Sequence, residues 1–363
     1  MINKELIIIG GGPSGLCAAK TAAEAGVNVL IIERSPKVGG QLVKQTHKFF
    51  GSKNQYAKMR GYDIAKKLIH DLENLPNIEI KTDTTVVGLY PDYVVTTLYD
   101  DIYARYQAKS MIVATGASEK FLAFENNDLP GIYGAGAIQT LMNLYGVLPG
   151  KEVIMVGSGN IGLIVSYQLM QAGVKVKAII EASKQIGGYK VHASKMRRLG
   201  VPILTSTTVK KAIGKDHIEA VELVKLNDQW QEIEGTSEIM SVDALCISVG
   251  LSPMHQLLSM IGAKTKFVNE LGGFVPIIDH HHQTTIKNVY SCGDAVGIEE
   301  ASSAMMEGYL TGLYVAEALG KPHPKHDELI SLYESQLDLL RDGPFGIKTK
   351  IGLEKLREEI EHA

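Results

Sequence analysis

The chain has 363 residues, 45% of them hydrophobic and 21% charged, with a formal net charge of -3. This is ordinary globular composition, long enough for two domains and a sizeable core, and the balanced charge leaves no basic footprint for nucleic acid. No apolar run reaches the roughly 18 residues a spanning helix needs, no signal peptide is expected ahead of the first strand, and three cysteines without framework spacing fit a reducing cytoplasm.

The first strand is expected at residues 6–9 and runs into a glycine turn. In IIIGGGPSGLCAAKTAAEAGVNVLIIERSPKVGG, Gly10, Gly12 and Gly15 lie between an apolar strand and a small-residue helix. The first glycine makes the tight turn, the second leaves no Cβ where backbone must approach a pyrophosphate, and the third lets helix lie close on strand. The helix N-terminus then offers free N–H groups and a positive dipole end to phosphate. Glu33 ends the next strand, where a carboxylate accepts both hydroxyls of an adenosine ribose. Helical spacing follows over residues 55–75, with Pro76-Asn77 as its stop, then strands near 79–81, 85–89 and 93–98. MIVATGA, residues 111–117, is an apolar strand ending in small residues.

From Ile154 the fingerprint repeats as IMVGSGNIGLIVSYQLMQAGVKVKAIIEASKQIGG, with Gly157, Gly159, Gly162 and Glu181 in the matching places and Gly187-Gly188 echoing Gly39-Gly40. Each copy has strand, turn, helix and acid in order, a far more specific signal than a lone glycine pattern. One chain is thus built to hold two dinucleotides. ALCISVG, residues 244–250, is the later counterpart of MIVATGA, so the expected fold is α/β with two Rossmann-like dinucleotide-binding domains, the second inserted into the first. The boundaries read as 1–117 and 244–320 for the outer domain, 118–243 for the insert, and 321–363 for a C-terminal helical tail.

His280-His281-His282 resembles a metal tract, but consecutive residues in a turn cannot all face one ion, so an exposed loop without metal is expected. NVYSCGD ends a strand with Asp294 at the sheet edge of the first glycine turn, beside Gly293. A helix over residues 301–319 then points its N-terminus at the ligand. In the tail, residues 328–340 form an amphipathic helix with Leu329, Leu332, Tyr333, Gln336, Leu337 and Leu340 on one face. A glycine-rich break at 342–352 precedes a last helix at 353–362. Such a face suits packing on its own chain, a symmetry mate or another subunit.

The order GGGPSG, Glu33, Gly39-Gly40-Gln41-Leu42, ATGA, GSGNIG and VYSCGDA resembles the two-dinucleotide-domain flavoproteins of the thioredoxin reductase and pyridine nucleotide-disulfide oxidoreductase superfamily, over roughly residues 4 to 320. That resemblance implies FAD in the outer domain and NAD(P)H in the insert. FAD would be met by Gly10, Gly12, Pro13, Ser14, Gly15, Glu33, Arg34, Gly40, Gln41, Ala114, Thr115, Gly116, Gly293, Asp294, Ser302 and Ser303, with Gln41 near the flavin and Asp294 on the ribityl chain. Gly157, Gly159, Asn160, Ile161, Gly162, Glu181 and Gly250 would meet the nicotinamide cofactor. Glu181 favours NAD(H) over NADP(H), because a carboxylate repels a 2′-phosphate and no paired arginines replace it. The segment QTHKFFG, residues 45–51, should run near the flavin, where His47 or Lys48 could tune N1 or N5 or donate a proton. Equally, Lys48 is surface and Phe49-Phe50 core.

Disulfide reduction needs a close thiol pair, and Cys17, Cys246 and Cys292 have neither a CxxC nor a CxxxxC spacing. The stretches from Leu129 and Gly272 resemble the FAD/NAD-fold subunits of hydrogen cyanide synthase, opine oxidase and heteromeric sarcosine oxidase. This implies a multi-subunit dehydrogenase of amino acids or amines in which the chain exchanges a hydride between NAD(H) and FAD. Its partners would be a second flavoprotein subunit, together with a separate iron-sulfur protein, since the cluster cysteines of many relatives are missing here; a homo-oligomer is the alternative. A free-standing NADH oxidase or reductase, and a structural electron-transfer subunit holding ADP or ATP, are the competing readings.

Overall fold

Residues 6–9 are apolar without alternation because the strand they end is covered on both faces, as parallel sheets are. Leu6 and Ile8 enter one buried cluster and Ile7 and Ile9 another. The computed structural model describes residues 1–49, 52–343 and 346–361. The chain divides into two compact units, one of residues 1–118 and 252–363, the other of residues 119–251.

The outer unit begins β1 (Ile2–Ile9), α1 (Pro13–Glu24), β2 (Val29–Ile32), α2 (Gly61–Glu73), β3 (Ile78–Lys81), β4 (Thr85–Tyr90), β5 (Val94–Tyr99) and β6 (Ile102–Val113). Its sheet runs β3-β2-β1-β6-β5-β4, parallel across β3, β2, β1 and β6 and antiparallel across β6, β5 and β4. The helix expected from residue 55 starts only at Gly61, because Tyr56 and Lys58 hold left-handed φ values of 60° and 72°, which no helix accommodates.

After β7 (Ala117–Glu119), the inserted unit holds β8 (Ile132–Gly134), α3 (Ala135–Tyr145), β9 (Glu152–Val156), α4 (Asn160–Gln171), β10 (Lys175–Ile180), α5 (Lys190–Arg198) and β11 (Ile203–Leu204). Next come β12 (Thr207–Ile213), β13 (Ala220–Lys225), β14 (Glu238–Ser241) and β15 (Ala244–Ile247). A parallel sheet runs β11-β10-β9-β15-β8, beside an antiparallel β12-β13-β14. The expected return to the outer domain at residue 244 is therefore displaced: β15 pairs with β9, Leu245 opposite Ile154, and the chain re-enters the outer unit at Ser252.

The outer unit then resumes with β16 (Leu251–Pro253), α6 (Gln256–Met260), β17 (Thr265–Val268), β18 (Gly273–Pro276), β19 (Val289–Ser291), α7 (Ala301–Ala318), α8 (His326–Arg341) and α9 (Gly346–Glu361). β19 joins the sheet parallel to β6. α7 crosses α1 backbone to backbone, since a Cβ on Gly308 would lie 2.2 Å from the Ser14 carbonyl oxygen and one on Gly312 would lie 2.3 Å from that of Ala18. Thr21 Oγ1 seals the crossing by donating to the Tyr309 carbonyl at 2.9 Å.

The tail belongs to this unit. Leu337 is buried, with Ile330, Tyr333 and Leu340 packed on the same core. Five of the six residues of the expected face thus turn inward, Leu329, Tyr333, Gln336, Leu337 and Leu340, while Leu332 is 46% exposed. The last helix starts at Gly346 instead of 353; His362, its expected end, lies outside the described residues. No helix among the described residues is long and apolar enough to cross a membrane.

Candidate functional site

In the outer unit α1 starts from Gly12, with Pro13 in its first turn and no side chain capping it, so its first amides are left for an anion. Gly10 turns the chain at φ 107°. A Cβ there would lie 2.3 Å from the Ala114 carbonyl oxygen, and one on Gly15 2.0 Å from that of Gly10. One on Gly12 meets nothing nearer than 3.9 Å. The fold itself requires the first and third glycines; the second is bare toward open space. Behind the turn Glu33 is buried, one oxygen accepting from the Gly11 amide at 2.8 Å and the other from the Ser35 amide at 2.8 Å. Each oxygen keeps a further lone pair for a donor.

The inserted unit repeats this geometry. Gly157 has φ 103° and would place a Cβ 2.2 Å from the Ser248 carbonyl oxygen, Gly162 one 2.2 Å from that of Gly157, and Gly159 one in open space. Glu181 accepts from the Ser158 amide at 3.0 Å and the Ser183 amide at 3.0 Å. One addition is local: the Ser158 hydroxyl donates to Glu181 at 2.6 Å and accepts from the Gly187 amide at 3.0 Å. Asn160 accepts from the Tyr189 amide at 2.8 Å, Ile161 is exposed, and exposed Gly250 accepts from the Lys120 amide at 2.9 Å.

Other expected residues gather round the outer turn. The Gly39 amide donates to the Gly11 carbonyl at 2.7 Å, and a Cβ on Gly40 would come 2.7 Å from Gly12 Cα. Ala114 is buried, while Thr115 and Gly116 are tied to Met254 by hydrogen bonds of 2.8 and 3.0 Å. A Cβ on Gly293 would sit 2.6 Å from Ser14 Oγ, which brings the next residue, Asp294, to the start of α1. Burial pushes the Asp294 carboxyl up to about 7; the Glu299 amide, donating at 3.3 Å, opposes this, and the Glu307 and Glu299 charges add to it. Arg34 and Gln41 are exposed. Ser302 and Ser303 are buried in the first turn of α7, where the Ser303 hydroxyl serves Glu299. His47 stacks on Phe49 at 5.8 Å. Lys48 is exposed and bridged through its backbone to Arg60; Phe50 and Gly51 of that segment lie outside the described residues.

Beneath Asp294 lies a buried ion cluster that the sequence patterns did not reveal. Glu307 accepts from the Gly293 amide at 2.7 Å and pairs with Arg341, which also binds Glu299. A carboxylate inside the small-residue run of α7 was the one available signal, because such a group stays buried only when paired. The histidine tract also departs from the expected exposed loop. His280 and His281 are exposed, but His282 turns inward and bonds Thr311 at 2.7 Å. Burial, with Arg341 and Arg357 nearby, pushes it down to about 3. Among the described residues no group of His, Cys, Asp and Glu is placed to hold a metal ion. Cys17, Cys246 and Cys292 are all fully buried, and burial pushes Cys17 and Cys292 up to about 12 and Cys246 well above its usual range.

Residues 4–308 match the model of the pyridine nucleotide-disulphide oxidoreductase family. The chain is 27% identical over 334 residues to the alpha subunit of sarcosine oxidase from Rhizobium meliloti (strain 1021), covering 88% of this chain and 31% of that one. It is 25% identical over 343 residues to an opine oxidase subunit of the same organism, covering 88% and 72%. This chain therefore spans about a third of the sarcosine oxidase relative. The thioredoxin reductase of T. acidophilum shares the fold, with a TM-score of 0.72 at 21% identity over 88% of this chain and 99% of that one.

Proposed function

The chain belongs to the pyridine nucleotide-disulphide oxidoreductase family, a family of FAD-binding flavoenzymes, and from that premise we propose that its outer unit holds FAD and its inserted unit NAD(H). The observation that carries this is the duplicated cradle, in which the first and third glycines are locked against backbone and the second faces open space in both units. In the outer unit the amides at the start of α1 meet the pyrophosphate, Glu33 takes the adenosine ribose, and Asp294 takes a ribityl hydroxyl. In the inserted unit Glu181 takes the ribose 2′ and 3′ hydroxyls and disfavours a 2′-phosphate.

FAD held by these residues would supply the redox chemistry, hydride exchange with NAD(H) and onward transfer of electrons to another acceptor or subunit. The chain's task is to bind, orient and exclude water. Its thiols take no part, since all three are buried, protonated and without a redox partner spacing. The names of its relatives, subunits of sarcosine and opine oxidases, support membership of a multi-subunit dehydrogenase of amino acids or amines. A second flavoprotein subunit, together with a separate iron-sulfur protein, would complete it.

Purified protein is expected to carry FAD in near equimolar amount, to bleach with NADH faster than with NADPH, and to lose or reverse that preference in Glu181→Arg. Equal second-order rates with both nucleotides refute the role of Glu181. A protein that stays colourless on adding FAD refutes the outer site, and a yellow protein that neither nucleotide bleaches points to the structural subunit.

A further inference from the structure

Arg341 lies on α8, beyond the residues that match the family model, yet it reaches the turn that presents Asp294. Its Nε contacts both Glu299 oxygens at 3.1 Å and its Nη2 meets Glu299 Oε1 at 2.5 Å as well as Glu307 Oε1. The three side chains are no more than 10% exposed. Each glutamate then touches the turn from its own side. Glu307 Oε2 accepts from the Gly293 amide at 2.7 Å, and the Glu299 amide donates to Asp294 Oδ1 at 3.3 Å. One guanidinium fork thus fixes the residues before and after Asp294, a bidentate geometry that lysine cannot reproduce.

We propose that Arg341 is a positioning residue for Asp294: it locks Glu299 and Glu307 where they hold this turn, and it cancels one of the two negative charges that would otherwise oppose a carboxylate there. Other charged or titratable groups facing the cluster are Arg357 and Lys350 from α9, Asp279 and His281 from the segment before β19, and Asp342 at the end of α8; Tyr314 on α7 and neutral His282 also border it. Among the described residues Arg341 is the one that pairs with both glutamates. The consequence for function rests on the FAD site proposed above. Affinity for FAD should depend on the ionised form of Asp294, and Arg341, by offsetting the glutamate charges beside it, should lower the pH at which that form appears.

The test uses the full chain freed of FAD, with dissociation constants measured against pH by flavin fluorescence quenching. In the parent, affinity is expected to fall as pH drops through about 7. Arg341→Met should raise that midpoint by about one unit and weaken binding at pH 7 at least about tenfold, because two unneutralised glutamates oppose a third carboxylate. Arg341→Lys keeps the charge and loses the fork, so affinity should fall only a few-fold with the midpoint in place. Adding Glu299→Gln to Arg341→Met restores the net charge and should bring the midpoint back, whereas a purely packing role predicts a further loss. An unchanged midpoint in Arg341→Met, or no recovery in the double variant, overturns the proposal. Should Arg341→Met fail to fold, Glu299→Gln alone reads the same coupling, and a midpoint that does not move down overturns it. If the parent takes up no FAD, the proposed function fails. The Asp294 carboxyl followed by carbon-13 NMR in the FAD-free chain then decides on Arg341, an upward shift in Arg341→Met supporting the role and no shift ending it.

Discussion

Between the first and second fingerprint glycines the outer unit has Gly11 and the inserted unit has Ser158. In the inserted unit the hydroxyl fills the space behind the turn and gives Glu181 a second donor from one residue. In the outer unit Val38 fills it instead, its Cγ1 2.6 Å from where a Gly11 Cβ would stand. Both turns share first and third glycines locked against carbonyl oxygens and a second glycine that faces open space. What must stay fixed is the pair of locked glycines and the bare one between them, while the packing behind them can be solved by a methyl group or by a hydroxyl.

The strongest way to break this symmetry is to fill a locked position in one unit at a time. Gly15→Ala forces a Cβ within 2.0 Å of a carbonyl oxygen in the outer unit, and Gly162→Ala one within 2.2 Å in the other. Each should cost on the order of 4 kcal/mol or more and unfold its own unit, read by limited proteolysis and calorimetry. Gly12→Ala and Gly159→Ala, both at helix N-caps, should by contrast cost only about 1 kcal/mol yet lose FAD or NAD(H) respectively. A nucleotide affinity unaffected by either alanine would show that the open faces are not phosphate sites.

Asp294 sharpens the contrast, because its carboxyl sits at about 7 against about 3.9 in an unfolded chain. A raised carboxyl favours the folded state below the unfolded value, and that contribution is lost as pH climbs from about 4 through 7. Asp294→Asn should therefore stabilise the FAD-free protein, with a gain that grows by roughly 2 to 3 kcal/mol between pH 5 and pH 8. Denaturant midpoints at the two pH values check it, and a gain that shrinks with pH would contradict the placement of this group. The smallest effect is expected from Ser158→Ala, about 1 kcal/mol lost by the inserted unit, with Glu181 still held by the Ser158 and Ser183 amides. A loss several times larger would mean that the hydroxyl, not the amide, orients Glu181.

The glycines, both glutamates and the doubly wound pattern were legible because each is a local signal: a turn conformation, a helix start, an acid one strand later. Which sheet a strand joins is not local. MIVATGA and ALCISVG share an apolar run ending in small residues, and nothing in their periodicity says that the first lies beside β1 and the second beside β9. His282 escaped for a similar reason, since its burial comes from Tyr314 and Thr311 on α7. Arg341 ends an amphipathic helix whose expected face stopped one residue short of it, and its two glutamates lie far back in the chain.

The crossing of α1 and α7 sets an order on the birth of the molecule. Thr21 and Tyr309 are 288 positions apart, so the inner face of α1 stays uncovered until α7 has left the ribosome. The inserted unit, one continuous segment, can close on itself while α7 is still being made. The outer unit carries the long-range pairing that slows folding and is finished last. Its glycine turn is synthesised well before the helix that packs against it. A nascent chain stalled before residue 301 should therefore present a folded insert beside an outer half still open to proteases and chaperones.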